Sequence, residues 1–277
     1  MSVENEHTDP TDPAWSALKH FGSEVQIERE RLGMSRPELA KEANCGPSLV
    51  AKIETGSRVP QLEFAQACDC AFPDSNGRFA RLWPLAIRYA YPPWFRHYVE
   101  LECTATVVKM FHPQLLPGLV QTREYARAVL RTSRPDNLDD LITARMERQR
   151  ILDREDKPPA SLRLVLNEAV LRNSVGDPAV MRGQLTHLRE LAAVPRHRVQ
   201  IIPDRGRHHG YHSPFGLLSF SEGADVVHVD GFPRGYVLAE PGDVTTGQEA
   251  YDLLTAMAAP LDESAELIDS ISKDCYS

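Results

Sequence analysis

Two stretches of this chain hold residues whose types could do chemistry. One is GRHHGYHSPFG, with His208, His209 and His212, followed by Asp225, His228 and Asp230. Imidazoles and carboxylates are the usual ligands of a transition-metal site. The spacing argues against one here: His208 and His209 are adjacent and point apart, so a Gly-rich loop with solvated histidines is the expected state, and no metal or cofactor is expected. Ser213 has histidines nearby but lacks the strand-to-helix elbow that exposes a nucleophilic serine. No catalytic residue is assigned, and the chain is not read as an enzyme. The other stretch is Met34 to Gly56, MSRPELAKEANCGPSLVAKIETG. Its spacing writes two short helices and a tight turn with a polar outer edge, an outline able to present side chains to DNA.

The elements that must position that edge are legible residue by residue. Leu39, Ala40 and Ala43 recur at helical spacing on the first segment, and Val50 and Ile53 do so on the second, so these five are expected to face a common core. Ser35 followed three residues later by Glu38 is a capping box, in which hydroxyl and carboxylate satisfy each other's backbone amides and start a helix. Asn44, Cys45 and Gly46 interrupt the pattern. Pro47 suits the first turn of the next helix, where its missing N–H has no partner to lose. Gly56 falls where a left-handed residue ends a helix. Upstream, Trp15 to Leu32 places Leu18, Phe21, Val25 and Leu32 on one stripe with charges opposite. Downstream, Gln61 to Ala71 and Gly77 to Tyr89 are amphipathic, the latter broken by Pro84. A five-helix bundle over 14–89 results, preceded by a disordered acidic tail over 1–13. Tyr91-Pro92-Pro93 favours an extended, poorly helical path, which marks 90–95 as a linker.

The order and length of these signals resemble the helix-turn-helix domain of the phage-repressor-like XRE family, with Met34-Ser35, Glu38-Leu39-Ala40, Val50, Ile53-Glu54 and Gly56 matching without a gap. The resemblance implies a second helix lying in the major groove, its first turn carrying the side chains that reach base edges. By position those are Pro47, Ser48, Leu49 and Lys52. Ser48 and Lys52 can hydrogen-bond, Lys52 best to guanine O6 or N7, and Leu49 can meet a thymine methyl. Arg36 and Arg58 are placed to grip phosphates, which positions the domain without choosing the sequence. Two positions depart from the family pattern: Gly46 replaces the usual Ser or Thr cap, and Arg36 replaces a frequent Gln.

Composition bounds the rest. The chain has 277 residues, 42% apolar and 25% charged, ordinary for globular protein. The aromatic stretch from Leu82 to Phe95 is interrupted by Arg88 and three prolines, so no membrane span is expected. The acidic N-terminus has no apolar core and does not read as a secretory signal. A cytoplasmic, nucleoid-associated location is expected. The net charge of −8 counts at first against nucleic acid. Residues 1–13 carry four acids and no base, 14–84 carry nine of each, and the remainder 22 bases and 26 acids. The acidity lies outside the reader, whose neutrality implies few phosphate contacts and a need for dimerisation. Cys45, Cys68, Cys70, Cys103 and Cys275 show no paired metal spacing and are expected to be reduced, mostly buried thiols.

Beyond residue 96 the chain reads as a mixed α/β domain to 277, giving an α+β multidomain fold class. Trp94 to Glu102, Tyr125 to Arg131 and Leu138 to Asp153 look helical. Strand-like runs are Leu162 to Leu166, Val199 to Pro203, Phe215 to Phe220 and Val226 to Val229. The helix expected over Pro178 to Ala193 makes a crossover between parallel strands. Phe215 to Val229 reads as a hairpin turning at Glu222-Gly223. Asp243 to Ala259 and Asp262 to Ser272 close the chain as helices. This half also resembles an actinobacterial C-terminal domain of unassigned chemistry that accompanies such helix-turn-helix domains. The resemblance rests on Trp94-Phe95, Glu100-Leu101-Glu102, Pro113 through Thr122 with Tyr125-Ala126, Arg145, Arg148, Gln149, Leu166 through Ala169, and the loop around His208, Gly210 and Pro214-Phe215. His209 and His212 depart from that pattern. The resemblance implies an antitoxin-like transcriptional regulator, often encoded beside a very small partner protein.

The segment Gln114 to Tyr125 mixes prolines, leucines, Gln121 and Thr122. It suits either a concave effector site or a loop stapled to the core. Gln121, Tyr125 and His208 are the effector or partner candidates. The expected function is sequence-specific binding of double-stranded operator DNA as a homodimer, with an effector or small protein as signal. The alternatives are an antitoxin-like protein that holds a small partner and autoregulates, and an enzyme fused to a DNA-binding domain.

Overall fold

The computed structural model of the chain describes residues 13–155, 157–205 and 213–276. The first five helices are α1 (Pro13–Arg31), α2 (Arg36–Glu42), α3 (Pro47–Glu54), α4 (Leu62–Ala71) and α5 (Arg78–Ile87). Their inner stripes supply Leu18, Phe21, Val25, Leu39, Ala40, Val50, Ile53, Phe64, Phe79 and Trp83, all buried. Ala43 is half-buried and Leu32 is 37% exposed. Leu32 leaves the stripe because α1 ends one residue earlier, where Gly33 turns left-handed. Asp69 of α4 caps α5, accepting the Phe79 and Ala80 N–H groups at 3.0 and 2.8 Å. Pro84 sits inside α5, which nonetheless continues to Ile87.

The remaining elements are α6 (Pro93–Thr104), β1 (Val107–His112), α7 (Arg123–Arg131), α8 (Leu138–Arg148), β2 (Ser161–Asn167), α9 (Glu168–Arg172), α10 (Pro178–Ala193), β3 (Arg198–Ile202), β4 (Phe215–Ser219), β5 (Val226–Val229), β6 (Tyr236–Leu238), α11 (Pro241–Met257) and α12 (Leu261–Tyr276). They include a six-stranded mixed sheet in the order β3-β2-β1-β4-β5-β6. β1, β2 and β3 run parallel, and β4, β5 and β6 are joined antiparallel. The expected crossover through α10 and the hairpin, with Gly223 at φ +96°, are both present. One sheet face, with Phe111, Val165, Phe215, Leu217 and Val227, packs on Tyr251 and Leu254 of α11. The alternate residues Leu162, Leu164 and Leu166 of β2 are buried too, as period-two pleating of a doubly covered strand requires.

Three local expectations are corrected, and one strand, β1, joins those expected. Pro93 is not extended; it opens α6, using the tolerance of a helix's first turn for a residue without an N–H. The helix expected over 138–153 tightens at Gln149 into a 3₁₀ turn, Gln149–Leu152. There the Gln149 side chain donates to the carbonyls of Gly118 and Gln121 at 2.8 and 2.7 Å. Strand β1, central in the sheet, carries Lys109 within a short apolar run and gave no clear period. Of the five thiols only Cys68 is buried, and Cys70, Cys103 and Cys275 are exposed; Cys70, two residues after Cys68, faces away from the core that Cys68 joins.

The chain divides into two compact units, one made of the residues up to Arg96 with Pro135–Ala144, the other of His97–Arg134 with Arg145 onward. The first turns of α8 therefore fold with the N-terminal helices.

Candidate nucleic-acid interface

The turn between α2 and α3 is built by helix-end chemistry. The Ser35 capping box is complete: Glu38 N–H donates to Ser35 Oγ at 3.4 Å and Ser35 N–H donates to the Glu38 carboxylate at 2.7 Å. Helix α2 ends with Asn44 left-handed, and the Cys45 N–H returns to the Ala40 carbonyl at 2.8 Å. Helix α3 starts at Pro47 after Gly46, which provides no side-chain cap. It ends with Gly56 at φ +68°, where Gly56 N–H reaches Ile53 O and Ser57 N–H reaches Lys52 O, both at 2.9 Å. This is the Schellman arrangement. A Cβ on Gly56 would also meet Lys19 of α1 at 2.8 Å, so glycine serves both the turn and the close approach. Gly22, inside α1, serves a close approach alone: a Cβ there would run into the carbonyl oxygens of Ile53 and Glu54.

An ion triad fixes α3 against its neighbours. The buried Glu54 carboxylate accepts Arg29 Nε at 2.5 Å, Arg29 Nη2 at 3.2 Å and Arg36 Nε at 2.7 Å. Arg29 also donates to Met34 O at 2.8 Å, which ties down the loop before α2. Burial opposes ionisation of Glu54, but the hydrogen bonds from Arg29 and Arg36 outweigh it and hold the carboxyl below its usual value. The same bond raises the Arg29 pKa. Sequence reasoning missed Arg29, although it extends the buried stripe of Phe21 and Val25 by one turn. A lone cation on one inner stripe and Glu54 beside Ile53 on another were a legible signal.

Of the proposed base-reading residues, Pro47, Ser48 and Lys52 are exposed and Leu49 is half-buried. The Lys52 side chain makes no ion pair among the described residues. Arg36 is exposed, with Nε turned back to Glu54. Arg58 is engaged elsewhere: its Nε lies 2.9 Å from Asp140 Oδ1 and its Nη2 3.2 Å from Asp139 Oδ2, both in the first turn of α8. Burial raises the Asp140 carboxyl to about 6 against the opposing pull of Arg58 and the Val59 N–H. Arg58, Asp140, Leu49 and Thr143 share the lining of a cavity of about 220 Å³ with Asn44 and Phe64.

In the second unit, Gln121 and Tyr125 are buried within the loop's own bonding. Gln121 donates to Leu116 O and accepts from Arg145 Nη1, each at 2.7 Å. Tyr125 OH accepts the Leu116 N–H at 3.4 Å. Gln184 of α10 bridges the same loop, accepting from Thr122 N–H at 2.7 Å and donating to Val120 O at 2.8 Å. His208, together with His209, Gly210 and His212, lies outside the described residues. Asp225 accepts from Ser219 Oγ at 2.7 Å, whereas His228 and Asp230 approach each other at 3.5 Å. Among the described residues no three His, Cys, Asp or Glu side chains gather to hold a metal ion.

His228 belongs to a buried polar cluster. Tyr98 OH donates to Glu102 Oε1 at 2.9 Å, Arg148 Nε lies 2.7 Å from Glu102 Oε2, and the Tyr98 and His228 rings stack at 4.0 Å. Burial, then the nearby Arg148 charge, lowers His228 to about 4. Burial also raises the Glu102 carboxyl despite Arg148. Glu102 and Arg148 were part of the recognised C-terminal pattern, but their spacing does not disclose that they meet.

A helix-turn-helix unit joined to a mixed-sheet unit defines the class, and the family described as "Helix-turn-helix domain" matches residues 20–72. That domain points to a DNA-binding regulator rather than an enzyme. A second family, described as "Domain of unknown function (DUF5753)", matches residues 95–270, and the chain belongs to it. None of the curated proteins and none of the solved structures compared matches the chain. Among the described residues, no helix is long and apolar enough to cross a membrane.

Proposed function

We propose that the protein is a sequence-specific transcriptional regulator of XRE type, acting in the cytoplasm at the nucleoid and reading double-stranded operator DNA with the first turn of α3. The observation that carries this reading is the exposed set Pro47, Ser48 and Lys52 on a helix whose inner side is locked by the Glu54 triad. A rigid helix with an unencumbered polar edge is what base readout needs. In this reading the protein acts as a homodimer, since the electrically balanced reader has few phosphate contacts of its own. The C-terminal unit supplies dimerisation and receives an effector or small partner protein. Gln121 and Tyr125 then act by shaping the 116–125 loop.

The second reading is an antitoxin-like protein of the actinobacterial kind that holds a small partner and regulates its own operon. It draws support from β6, an edge strand, where Tyr236 is 61% exposed and the preceding Phe232 is fully exposed. An uncovered aromatic pair beside a sheet edge favours a protein partner.

The deciding experiment is selection from sheared genomic DNA of the source organism with wild-type protein and with Lys52→Ala. Enrichment of a short, roughly palindromic site that the variant loses supports the first reading. No enrichment, with a small protein co-purifying instead, moves the second to first place.

A further inference from the structure

We propose that the acid pair Asp139–Asp140 is an autoinhibitory clamp on the DNA-binding unit, holding Arg58 away from the phosphate backbone until the segment Pro135–Ala144 is released. The inference rests on the DNA-binding reading above.

Arg58 follows the left-handed turn that ends α3, the place where a cation meets the backbone flanking a major-groove helix. Its guanidinium is only partly presented to solvent. One edge, Nε with Nη2, is taken by two carboxylates at 2.9 and 3.2 Å, and the side chain is only 26% exposed. A phosphate diester would compete for this edge and for the charge, because a guanidinium binds carboxylates and phosphates through the same planar fork. Asp139 and Asp140 thus stand where a nucleic-acid phosphate would compete.

The two acids differ in what they contribute. Asp139 is half-exposed and provides a screened attraction. The Asp140 side chain is 8% exposed, so losing Arg58 would strand a charge in the interior. Asp140 therefore makes the contact hard to break from the Arg58 side alone. The cavity beside the pair, walled partly by Leu49 and Thr143, gives the guanidinium room to move once the acids withdraw.

The clamp's origin in the chain gives it a regulatory logic. Pro135–Ala144 folds with the N-terminal unit, yet lies inside the stretch that matches the C-terminal family. Helix α8 carries Asp139 and Asp140 at its start and Arg145 and Arg148 at its end. The latter two hold Gln121 and Glu102 of the second unit. A ligand that rearranges the 116–122 loop would act on the same helix that carries the clamp. It shifts the equilibrium only through its differential affinity for the clamped and released states.

The test is a mutant cycle on the full chain with a labelled random-sequence DNA duplex, read as Kd against salt. Four proteins enter: wild type, Asp139→Asn/Asp140→Asn, Arg58→Ala, and the triple variant. Circular dichroism verifies that each is folded. The expected result is that the double variant binds several-fold tighter than wild type, with a salt slope steeper by about one unit as one more phosphate is neutralised. That gain must vanish in the Arg58→Ala background. A gain that persists without Arg58 would reflect only the removal of two negative charges, and overturns the clamp. Equal binding by wild type and double variant also overturns it while leaving DNA binding intact. If none of the four binds any duplex, including genomic fragments, the DNA-binding reading falls and the clamp with it.

Discussion

Arg29 of α1 donates its Nε proton to the carboxylate of Glu54 on α3 over 2.5 Å, in the interior of the N-terminal unit. The bond fixes α3 to the long helix behind it, and Arg36 closes the far side of the same carboxylate. Removing one member of a buried pair leaves the other as an uncompensated charge, which costs about 3 to 5 kcal/mol. Glu54→Gln is therefore expected to lower thermal stability sharply, as followed by circular dichroism. The pH dependence has a definite sign. Glu54 has a folded pKa below its ordinary 4.5, so its contribution is complete above that value and is lost as pH falls below it through the folded pKa. Acid-side melting curves of wild type are expected to fall in that window, and those of Glu54→Gln to be flatter.

Lys52→Ala tests the proposed reading edge. A bidentate or base-directed contact discriminates by about 1 to 3 kcal/mol. The variant is expected to lose affinity for the selected site by that amount while its affinity for random duplex changes much less. Equal losses on both DNAs would make Lys52 a phosphate contact.

Gly56 and Gly46 bracket α3 and are expected to answer oppositely to substitution. A side chain at Gly56 must adopt φ +68° and displace Lys19, so Gly56→Ala is expected to cost at least about 1 to 2 kcal/mol. Gly46 has an ordinary φ of −86°, and the nearest atom to an added Cβ is Ser48 Oγ at 3.9 Å. Gly46→Ser supplies the missing cap and is expected to gain a few tenths of a kcal/mol. Urea denaturation of both variants checks the contrast.

Asp140 gives the clamp a pH dependence. The groups around it are Arg58, neighbouring Asp139, and Cys45 and Glu63 on the cavity wall. Its carboxyl is raised from 3.8 to about 6 by burial, against Arg58 and the Val59 N–H. The folded state thus favours the protonated form, and the stability contributed by Asp140 falls as pH rises from 3.8 to about 6. Below about pH 6 the residue in the folded chain is largely neutral and holds Arg58 weakly. Random-duplex affinity of Asp140→Asn relative to wild type is expected to be highest near about pH 8 and to approach parity near about pH 5. A ratio independent of pH would show that Asp140 does not titrate against Arg58.

The buried Glu102–Arg148 pair sets the corresponding test for the C-terminal unit. Arg148→Met leaves Glu102, wholly buried, without its cation and is expected to cost about 3 to 5 kcal/mol. Adding Glu102→Gln to Arg148→Met should recover much of the loss, because coupled neighbours are not additive. Thermal melts of the two single variants and the pair measure the coupling.

Much of the N-terminal architecture was written locally. Ser35 with Glu38, Pro47 and Gly56 set helix ends through backbone chemistry spanning only a few residues, and the stripe Leu18, Phe21, Val25 chose the face that α1 buries. The hairpin at Gly223 and the crossover through α10 were equally local or periodic signals. Residues 34–56 thus determined both the helix-turn-helix and the edge it exposes. Strand β1 was obscured because a short central strand covered on both faces loses the alternation that marks a strand. What only the tertiary structure decided were the pairings of charge: Arg29 with Glu54, Glu102 with Arg148, and Arg58 with Asp139 and Asp140. A residue type states that a charge needs a partner, and helical spacing can show that it points inward. Which distant opposite charge meets it depends on how the chain returns, and Asp140 reaches Arg58 only because Pro135–Ala144 folds back onto the N-terminal helices.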